Sequence, residues 1–310
     1  MSQTSPIILD CTLRDGSYVL DFQFSVDQTK NIASELYKAN FQFIEVGHGI
    51  GIGASKKGLG IAAASDIEYC RAANSVVGEN SDWGMFCIPG IATLEDLEMV
   101  IDENIKFIRI GSDVTKIHES EKFIKLAKKK GIKVFANFMK SYVVKSKDFA
   151  KLVSQSLDYG VDGVYIVDSA GGMIPDKLKG FIRDSFSLNP GVTLGFHGHN
   201  NLGLGMANAL TAIDEGVQLI DSSVQGFGRS AGNVYTEHLV CLLDILKLNN
   251  NKIDPIKVMD IGETLIRPLI REVGMSSLDI TSGWALFHSS FIPSVLEFSK
   301  KNNVDPRLFI

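Results

Sequence analysis

Cysteines are few in this sequence, and their spacing does not indicate a zinc knuckle or a disulfide framework. The 310 residues include four cysteines, and none of them belongs to a Cys-x-x-Cys pair. They are Cys11, Cys70, Cys87 and Cys241. We therefore expect a reducing, cytoplasmic environment in which these thiols stay unpaired.

Long apolar runs and an excess of positive charge are also missing. No uninterrupted apolar run reaches the roughly 18 residues of a membrane span, and the polar segment from Met1 to Pro6 lacks the parts of a signal peptide. The net charge of −5 argues against nucleic acid or another polyanion as a partner. A basic run, Lys128 to Lys130, ends an amphipathic stretch before Gly131, where cations suit a helix C-terminus. We expect no membrane segment and no nucleic-acid partner.

What the sequence does contain is an alternation of short apolar runs with longer amphipathic stretches. The apolar runs are predicted to be strands, and they are Ile7–Asp10, Phe41–Gly47, Trp83–Ile88, Phe107–Gly111, Lys133–Phe138, Gly163–Asp168, Thr193–His197 and Leu219–Val224. Stretches of helical period lie between them, including Val26–Ala39, Leu94–Glu103, Glu121–Lys130, Asp148–Tyr159 and Ala207–Glu215. Strands that alternate with helices in this way predict a parallel α/β protein.

Polar residues cluster where the predicted strands end, and their distribution favours a barrel over an open sheet. They are Asp10, Glu45, Arg109, Asn137, Asp168, His197 and His199. A closed (β/α)8 TIM barrel would gather them on one face, whereas an open sheet would concentrate them at one switch point. We predict a barrel domain over residues 1–248, a linker at Asn249–Asn251, and a small helical C-terminal extension over residues 252–310.

The triplet His197-Gly198-His199 is a candidate metal site. Residues i and i+2 of a strand project to the same side, so the two imidazoles would lie next to each other, with room left by Gly198. Imidazole pairs of this kind bind divalent ions. The alternative is one core histidine and one loop histidine, each satisfied by hydrogen bonds. The triplet by itself leaves both interpretations open.

Closure of a barrel would bring oxygen ligands to this pair. The pair ends strand seven, and strands eight and one would follow as its neighbours. Strand one runs into Asp15, and strand eight runs into a glycine-rich loop that contains Asn233. Two nitrogens and two oxygens, with positions left for water and substrate, suit Mn²⁺, Mg²⁺, Co²⁺ or Zn²⁺.

Three motifs resemble the signatures of the DRE-TIM metallolyase superfamily: Thr-Leu-Arg-Asp-Gly at 12–16, His-Gly-His-Asn-Asn-Leu-Gly-Leu-Gly at 197–205, and Gly-Phe-Gly-Arg-Ser-Ala-Gly-Asn at 226–233. That group includes 3-hydroxy-3-methylglutaryl-CoA lyase, isopropylmalate synthase and 4-hydroxy-2-oxovalerate aldolase. The chain is most similar to the aldolase branch, on the segments Ile44–Gly49, Ile88–Thr93 and Val167–Gly171. The match spans about residues 7 to 245 and continues weakly at 267–269 and 289–291.

The resemblance implies an activity, a cofactor and several roles. It implies a metal-dependent carbon–carbon lyase that cleaves or forms a bond between a pyruvate enolate and an aldehyde. Asp15, His197 and His199 are implied ligands of a divalent metal, manganese in the first place, with Asn233 close to the ion. Arg14 is implied to stabilise the enolate oxygen, and a salt bridge to Asp15 or Asp168 is its alternative role. Small 2-oxo acids and aldehydes are the implied partners, and a homodimer or a dehydrogenase partner stays open.

The chain departs from the aldolase branch in the residues that transfer protons. Those aldolases carry a histidine base in the Arg-Asp-Gly-Ser loop, where this chain has Tyr18, and a tyrosine in the C-terminal segment, which reads Gly-Trp-Ala-Leu-Phe-His-Ser at 283–289. Tyr18, His48 and His288 are therefore the candidate acid–base residues. A dication and Arg14 could lower the pKa of Tyr18 from about 10. A hydrogen-bonding role for Tyr18 and structural roles for the histidines are the alternatives.

Other functions fit the sequence less well. The segment Gly49–Gly53 resembles a phosphate-binding loop but lacks Gly-Lys-Ser/Thr, and a loop over the barrel mouth is favoured. Glu45 and Asp168 suggest a glycosidase pair, which would leave the histidine pair unused. A Claisen-type acyl-CoA synthase would need more C-terminal sequence. A non-catalytic metal-binding barrel stays open because Tyr18 replaces the expected base.

Overall fold

The computed structural model describes residues 5–271 and 274–310. Its parallel strands form a closed barrel in which each strand pairs with the next and the last pairs with the first. The strands are β1 (Ile7–Asp10), β2 (Phe43–Glu45), β3 (Asp82–Cys87), β4 (Phe107–Asp113), β5 (Lys133–Met139), β6 (Gly163–Asp168), β7 (Leu194–Gly198) and β8 (Leu219–Ser222). The predicted (β/α)8 barrel is confirmed, and β1 and β6 have the predicted bounds.

Helices cover the outside of the barrel, and others follow it. They are α1 (Val26–Lys38), α2 (Asp66–Asn74), α3 (Leu94–Asp102), α4 (Glu121–Lys129), α5 (Ser146–Tyr159), α6 (Pro175–Leu188), α7 (Gly205–Asp214), α8 (Thr236–Ile245), α9 (Pro255–Ile261), α10 (Ser277–Ala285) and α11 (Ile292–Asn302). Capping boxes at Ser25, Ser65 and Thr93 start α1, α2 and α3, because each hydroxyl accepts from the third backbone N–H of its helix.

The second strand is shorter than predicted, and its flanking residues explain why. Phe41 donates its backbone N–H to Leu36 at the end of α1 (3.2 Å), so it does not join the sheet. Gly47 has a φ of +108°, a conformation that ends an extended strand. Strand β2 is therefore limited to Phe43–Glu45.

The barrel interior has an aromatic layer at the N-terminal end of the strands and charged groups above it. Phe43, Phe107, Phe135 and Tyr165 form the aromatic layer, with neighbouring ring centroids 5.3 to 6.1 Å apart. Two residues further along β2, β4 and β8, the inward positions are polar or charged, because side chains on one face recur with period two. They are Glu45, Arg109 and Asp221. The aromatic layer closes the barrel from below, so the polar interior opens at the C-terminal ends of the strands.

The C-terminal helices contact both the side and the mouth of the barrel. Asp254 caps α9, which packs against α1. The loop after β7 contacts α10, because Asn201 donates its amide to the carbonyl oxygen of Asp279 (2.9 Å). The predicted helical extension is present, and the division of the chain into 1–248 and 252–310 as domains stays a prediction. Among residues 5–271 and 274–310, every helix is too short or too polar to span a membrane. The first four residues of the polar N-terminal segment, Met1–Thr4, lie outside the described residues.

Candidate metal centre

Asp15, His197 and His199 meet at the C-terminal end of the barrel. One ligand atom from each lies within 4.8 Å of the others, and all three residues are buried. The alternation of β7 places His197 and His199 on the same side, with ring centroids 5.2 Å apart. Asp15 begins a short 3-10 helix that follows β1. The predicted convergence of these three side chains is present, and the arrangement suits a divalent cation.

Hydrogen bonds behind the two histidines leave one nitrogen of each ring available. Nδ1 of His197 lies 2.8 Å from a carboxylate oxygen of Asp221, and Nδ1 of His199 lies 3.2 Å from the carbonyl oxygen of Gly232. These contacts leave Nε2 of each ring available to a metal, an arrangement found in the carboxylate–histidine pairs of metal sites. Burial lowers the pKa of His199 to about 3, so its ring is neutral, the form that binds a metal.

Asp15 is held as a carboxylate, and Asn233 lies next to it. Burial opposes ionisation of Asp15, but attraction from the positive charges of Arg14 and Arg229 outweighs it and holds the pKa well below the usual range. The Asn233 amide donates to Asp15 (2.7 Å), whereas its own oxygen is buried without a hydrogen-bond partner in the described part of the chain. Such an oxygen fits a position beside a cation. A Cβ at Gly228 would lie 2.2 Å from the Asn233 amide nitrogen, which explains glycine in this loop.

A second group of possible ligands is less suitable. Cys11, His197 and Asp221 also come within 4.8 Å of one another. Burial raises the pKa of the Cys11 thiol well above its usual range, which disfavours the thiolate that a metal needs. Asp221, unlike Asp15, is hydrogen-bonded to a ring nitrogen of His197 itself, so it orients that imidazole instead of sharing a cation with it. The charges therefore favour Asp15, rather than Cys11 and Asp221, as the anionic ligand.

A continuous series of contacts between buried charged side chains connects Asp15 with His197. Arg14 contacts Asp15 (2.6 Å) and Glu45 (2.7 Å), and Glu45 also accepts two hydrogen bonds from Arg109. Arg109 in turn donates to Asp221, the partner of His197. The alternative salt bridge between Arg14 and Asp15 is therefore present. Because Glu45 is occupied by two arginines, it does not face a substrate as a glycosidase carboxylate would.

Asp168, the other carboxylate considered for Arg14, is engaged elsewhere. It accepts hydrogen bonds from the backbone N–H groups of Gly172 (3.2 Å) and Met173 (2.9 Å). Burial raises its pKa to about 6, and these backbone donors oppose the rise. Asp168 therefore shapes the loop after β6.

A small cavity of about 50 Å³ is lined in part by the three candidate ligands. Its polar lining comes mainly from Arg14, Asp15, Tyr18, His197, His199 and Arg229. Gly49, from the Gly49–Gly53 loop, closes one side, and a Cβ there would lie 2.6 Å from the Tyr18 ring. The cavity therefore brings together the candidate ligands, two guanidinium groups and one phenol.

The three acid–base candidates occupy different positions. Tyr18 lines the cavity, and burial raises its pKa, although Arg229 opposes the rise. His48 lies beside the Phe22 ring, and its two nitrogens contact the Gly60 carbonyl and the Ile50 N–H (3.1 Å each). His288 contacts Arg229 and Ser290. The geometry favours Tyr18, and all three assignments stay predictions.

Sequence reasoning assigned no role to Asp221 or Arg229. Asp221 could have been found because it lies two residues after Leu219 on β8, so both side chains face the barrel interior. The register of β7 and β8 then places Asp221 next to His197. Arg229 lies within the glycine-rich motif at 226–233, and its backbone N–H donates to Asp15 (3.3 Å). Both roles depend on contacts between neighbouring strands and loops.

A closed (β/α)8 barrel with an Asp–His–His centre at its C-terminal end defines a class of metal-dependent barrel enzymes. The HMGL-like family model matches residues 5–265, and the chain belongs to this family. A 4-hydroxy-2-oxovalerate aldolase of Geobacillus stearothermophilus is 37% identical over 303 residues, which is 97% of this chain and 87% of that protein. The protein of the same name from Carboxydothermus hydrogenoformans is 36% identical over 303 residues, 97% of this chain and 89% of its own length.

A solved structure gives the same fold. The HMG-CoA lyase of Brucella melitensis superposes with a TM-score of 0.75 at 16% identity, over 87% of this chain and 100% of that one. At this identity the likeness concerns the fold alone. The expected resemblance to the metallolyase superfamily and to its aldolase branch is confirmed by the family match and the relatives. Membership of this family implies a divalent metal, and the Asp15, His197 and His199 cluster is the site that fits it.

Proposed function

We propose that this chain is a divalent-metal-dependent aldolase, a carbon–carbon lyase that cleaves or forms a bond between a pyruvate enolate and an aldehyde. The convergence of Asp15, His197, His199 and Arg14 on one small cavity is the observation that carries the proposal. The curated relatives, similar over nearly the whole chain, are named for an aldolase activity. Cleavage next to a ketone leaves an enolate, whose charge needs positive groups in a dry site.

Asp15, His197 and His199 would hold the cation, with the Asn233 oxygen near it. When bound, the metal supplies a Lewis acid for the ketone oxygen of the 2-oxo acid. We propose manganese, and magnesium, cobalt and zinc are the other ions that this donor set suits. The four cysteines are unpaired, which supports the proposed cytoplasmic location. The proposal does not require the homodimer or the dehydrogenase partner that the sequence leaves open.

Arg14 and Tyr18 have separate tasks in this scheme. Glu45 and Asp15 fix the Arg14 guanidinium through Nε and one terminal nitrogen, which leaves the other terminal nitrogen for the enolate oxygen or the carboxylate of pyruvate. Burial keeps the Tyr18 phenol protonated, so it enters the reaction as a proton donor and hydrogen bonder to the aldehyde oxygen. The phenolate that remains takes a proton from the methyl group of the next pyruvate as the next enolate forms, which restores the phenol, and cleavage runs the two transfers in reverse.

Deuterium exchange into pyruvate tests the proposal without knowledge of the aldehyde. Metal-free protein supplied with Mn²⁺ should exchange the methyl protons of pyruvate in D₂O, and added aldehydes should give a condensed product. His199→Ala should lose both bound metal, measured by elemental analysis, and most of the exchange. A metal-loaded wild type that exchanges no pyruvate proton and forms no product would instead support the non-catalytic barrel.

A further inference from the structure

Arg229 lies between the metal centre and the C-terminal segment. Its backbone N–H donates to Asp15 (3.3 Å), and its guanidinium carbon lies 5.5 Å from the centroid of the Tyr18 ring. One terminal nitrogen is 3.2 Å from Nε2 of His288. The side chain lines the cavity together with Arg14. A second arginine therefore faces the cavity, on the side of Tyr18 and His288.

The other cations around this region have carboxylate partners, whereas Arg229 has none in the described chain. Arg14 pairs with Asp15 and Glu45, Arg109 with Glu45 and Asp221, and Lys140 with Asp113. Within residues 5–271 and 274–310, no acidic side chain lies within 4.0 Å of the Arg229 guanidinium, and its Nε is buried without a hydrogen-bond partner. A partly buried donor of this kind is incompletely satisfied until a ligand arrives.

His288 leaves the charge of Arg229 uncompensated. Burial and the neighbouring Arg229 lower the pKa of His288 to about 3, so the ring is neutral, and its Nε2 lies 3.2 Å from one terminal nitrogen of the guanidinium. Ser290 holds the opposite ring nitrogen (2.7 Å). His288 therefore orients the guanidinium and contributes no negative charge.

In the proposed reaction, the other charged groups in the cavity balance one another. Asp15 and the carboxylate of a 2-oxo acid balance a divalent cation, and Glu45 balances Arg14. Arg229 remains as the guanidinium of this cavity that has no carboxylate within 4.0 Å in the described chain. We propose that Arg229 binds an anionic group, a carboxylate or a phosphate, on the aldehyde partner. The aldehyde is then an anionic one, and this inference rests on the proposed aldolase function.

Two pairs of aldehydes test the inference with the Mn²⁺-loaded protein and pyruvate. Succinate semialdehyde is compared with pentanal, and glyceraldehyde 3-phosphate with glyceraldehyde, so the two arms separate carboxylate from phosphate. Wild type should prefer the anionic member of one pair. In Arg229→Gln that preference, as a ratio of kcat/KM values, should fall about 10- to 100-fold, the scale of one hydrogen-bonded charge. The loss should lie mainly in KM for the aldehyde.

Further variants separate substrate binding from a structural role. Arg229→Lys keeps the charge without the guanidinium fork, so its preference should lie between those of wild type and Arg229→Gln. Arg183→Gln removes an exposed arginine that pairs with Glu215 (2.6 Å), and it should leave the ratio unchanged.

Three results would overturn the inference. The first is an equal fall in kcat/KM for charged and neutral aldehydes in Arg229→Gln. The second is an Arg229→Lys variant whose preference for the anionic aldehyde is no higher than that of Arg229→Gln. The third is a wild type with the same kcat/KM for both members of each pair. If the wild type instead exchanges no pyruvate proton and forms no product with any aldehyde, the proposed function fails, and the inference fails with it.

Discussion

Replacing Asp221 changes the metal centre without removing a proposed ligand. One Asp221 oxygen contacts both Nδ1 of His197 (2.8 Å) and the Arg109 guanidinium, and the side chain is 1% exposed. Asp221→Asn keeps the volume and an acceptor oxygen but loses the charge that makes His197 a stronger ligand. Asp221→Ala also removes the acceptor, so the imidazole loses its fixed orientation.

The structure gives the order of the two effects and their scale. Partners that orient metal-ligating histidines are worth about 10- to 100-fold in metal affinity. We expect Asp221→Asn near the lower value and Asp221→Ala near the upper one, which corresponds to about 1.4 and 2.7 kcal/mol of binding free energy. Arg109 keeps its two hydrogen bonds to Glu45 in both variants, so the barrel should still fold.

Calorimetric titration of the metal-free proteins with Mn²⁺ measures this affinity directly. Asp148→Asn is the matched control, because Asp148 is exposed and pairs only with Lys151 in this part of the surface. Unfolding by urea should confirm that each variant is folded before titration. Wild-type Mn²⁺ affinity in a folded Asp221→Ala protein would refute the positioning role. Loss of the metal in Cys11→Ser as well would favour the Cys11, His197 and Asp221 group as the actual site.

Three further predictions follow from the site. Arg14→Lys should lower kcat/KM by about 10² or more, since it loses the guanidinium fork, and a near-normal pyruvate deuterium exchange would contradict this. Tyr18→Phe should stop turnover while Mn²⁺ and pyruvate still bind, and an active variant would return the role to His48 or His288. Burial lowers the pKa of both histidines, so a histidine base would give an acid limb below pH 6.5, whereas a phenol titrates higher. Burial raises the pKa of Asp10 to about 7, so its stabilising contribution is full below the unfolded pKa of 3.8 and is lost as pH rises through about 7. The unfolding free energy of wild type, relative to Asp10→Asn, should therefore fall between pH 5 and 7.5 in urea titrations, and a pH-independent difference would contradict the shift.

The order of strands and helices could be predicted because the signal is local. Continuous apolar runs mark strands covered on both faces, and β1 and β6 match the prediction at both ends. The bounds of β2 could not be predicted, because they depend on the Phe41 N–H bond to α1 and on the conformation of Gly47. Local periodicity does not report such contacts.

The candidate ligands could be predicted from the sequence in the same way, but the residues that contact them could not. His197 and His199 follow from the alternation of a strand, and closure of the barrel adds Asp15. The contacts of Asp221 with His197 and of Arg229 with His288 depend on strand register and on where a distant loop folds back. The positions of Tyr18 in the cavity and of His48 against the backbone also required the folded chain.

The aromatic layer beneath the metal centre restricts the order in which reactants can move. Phe43, Phe107, Phe135 and Tyr165 fill the lower barrel, so the cavity, which Tyr18 and Arg229 help to line, opens toward the C-terminal ends of the strands. When two molecules share a pocket with one opening, the molecule that binds deeper must bind first and dissociate last. Pyruvate, next to the cation, must arrive before the aldehyde and depart after it. Steady-state kinetics should then follow a compulsory sequence, with pyruvate competing against the intact aldol and the aldehyde inhibiting noncompetitively.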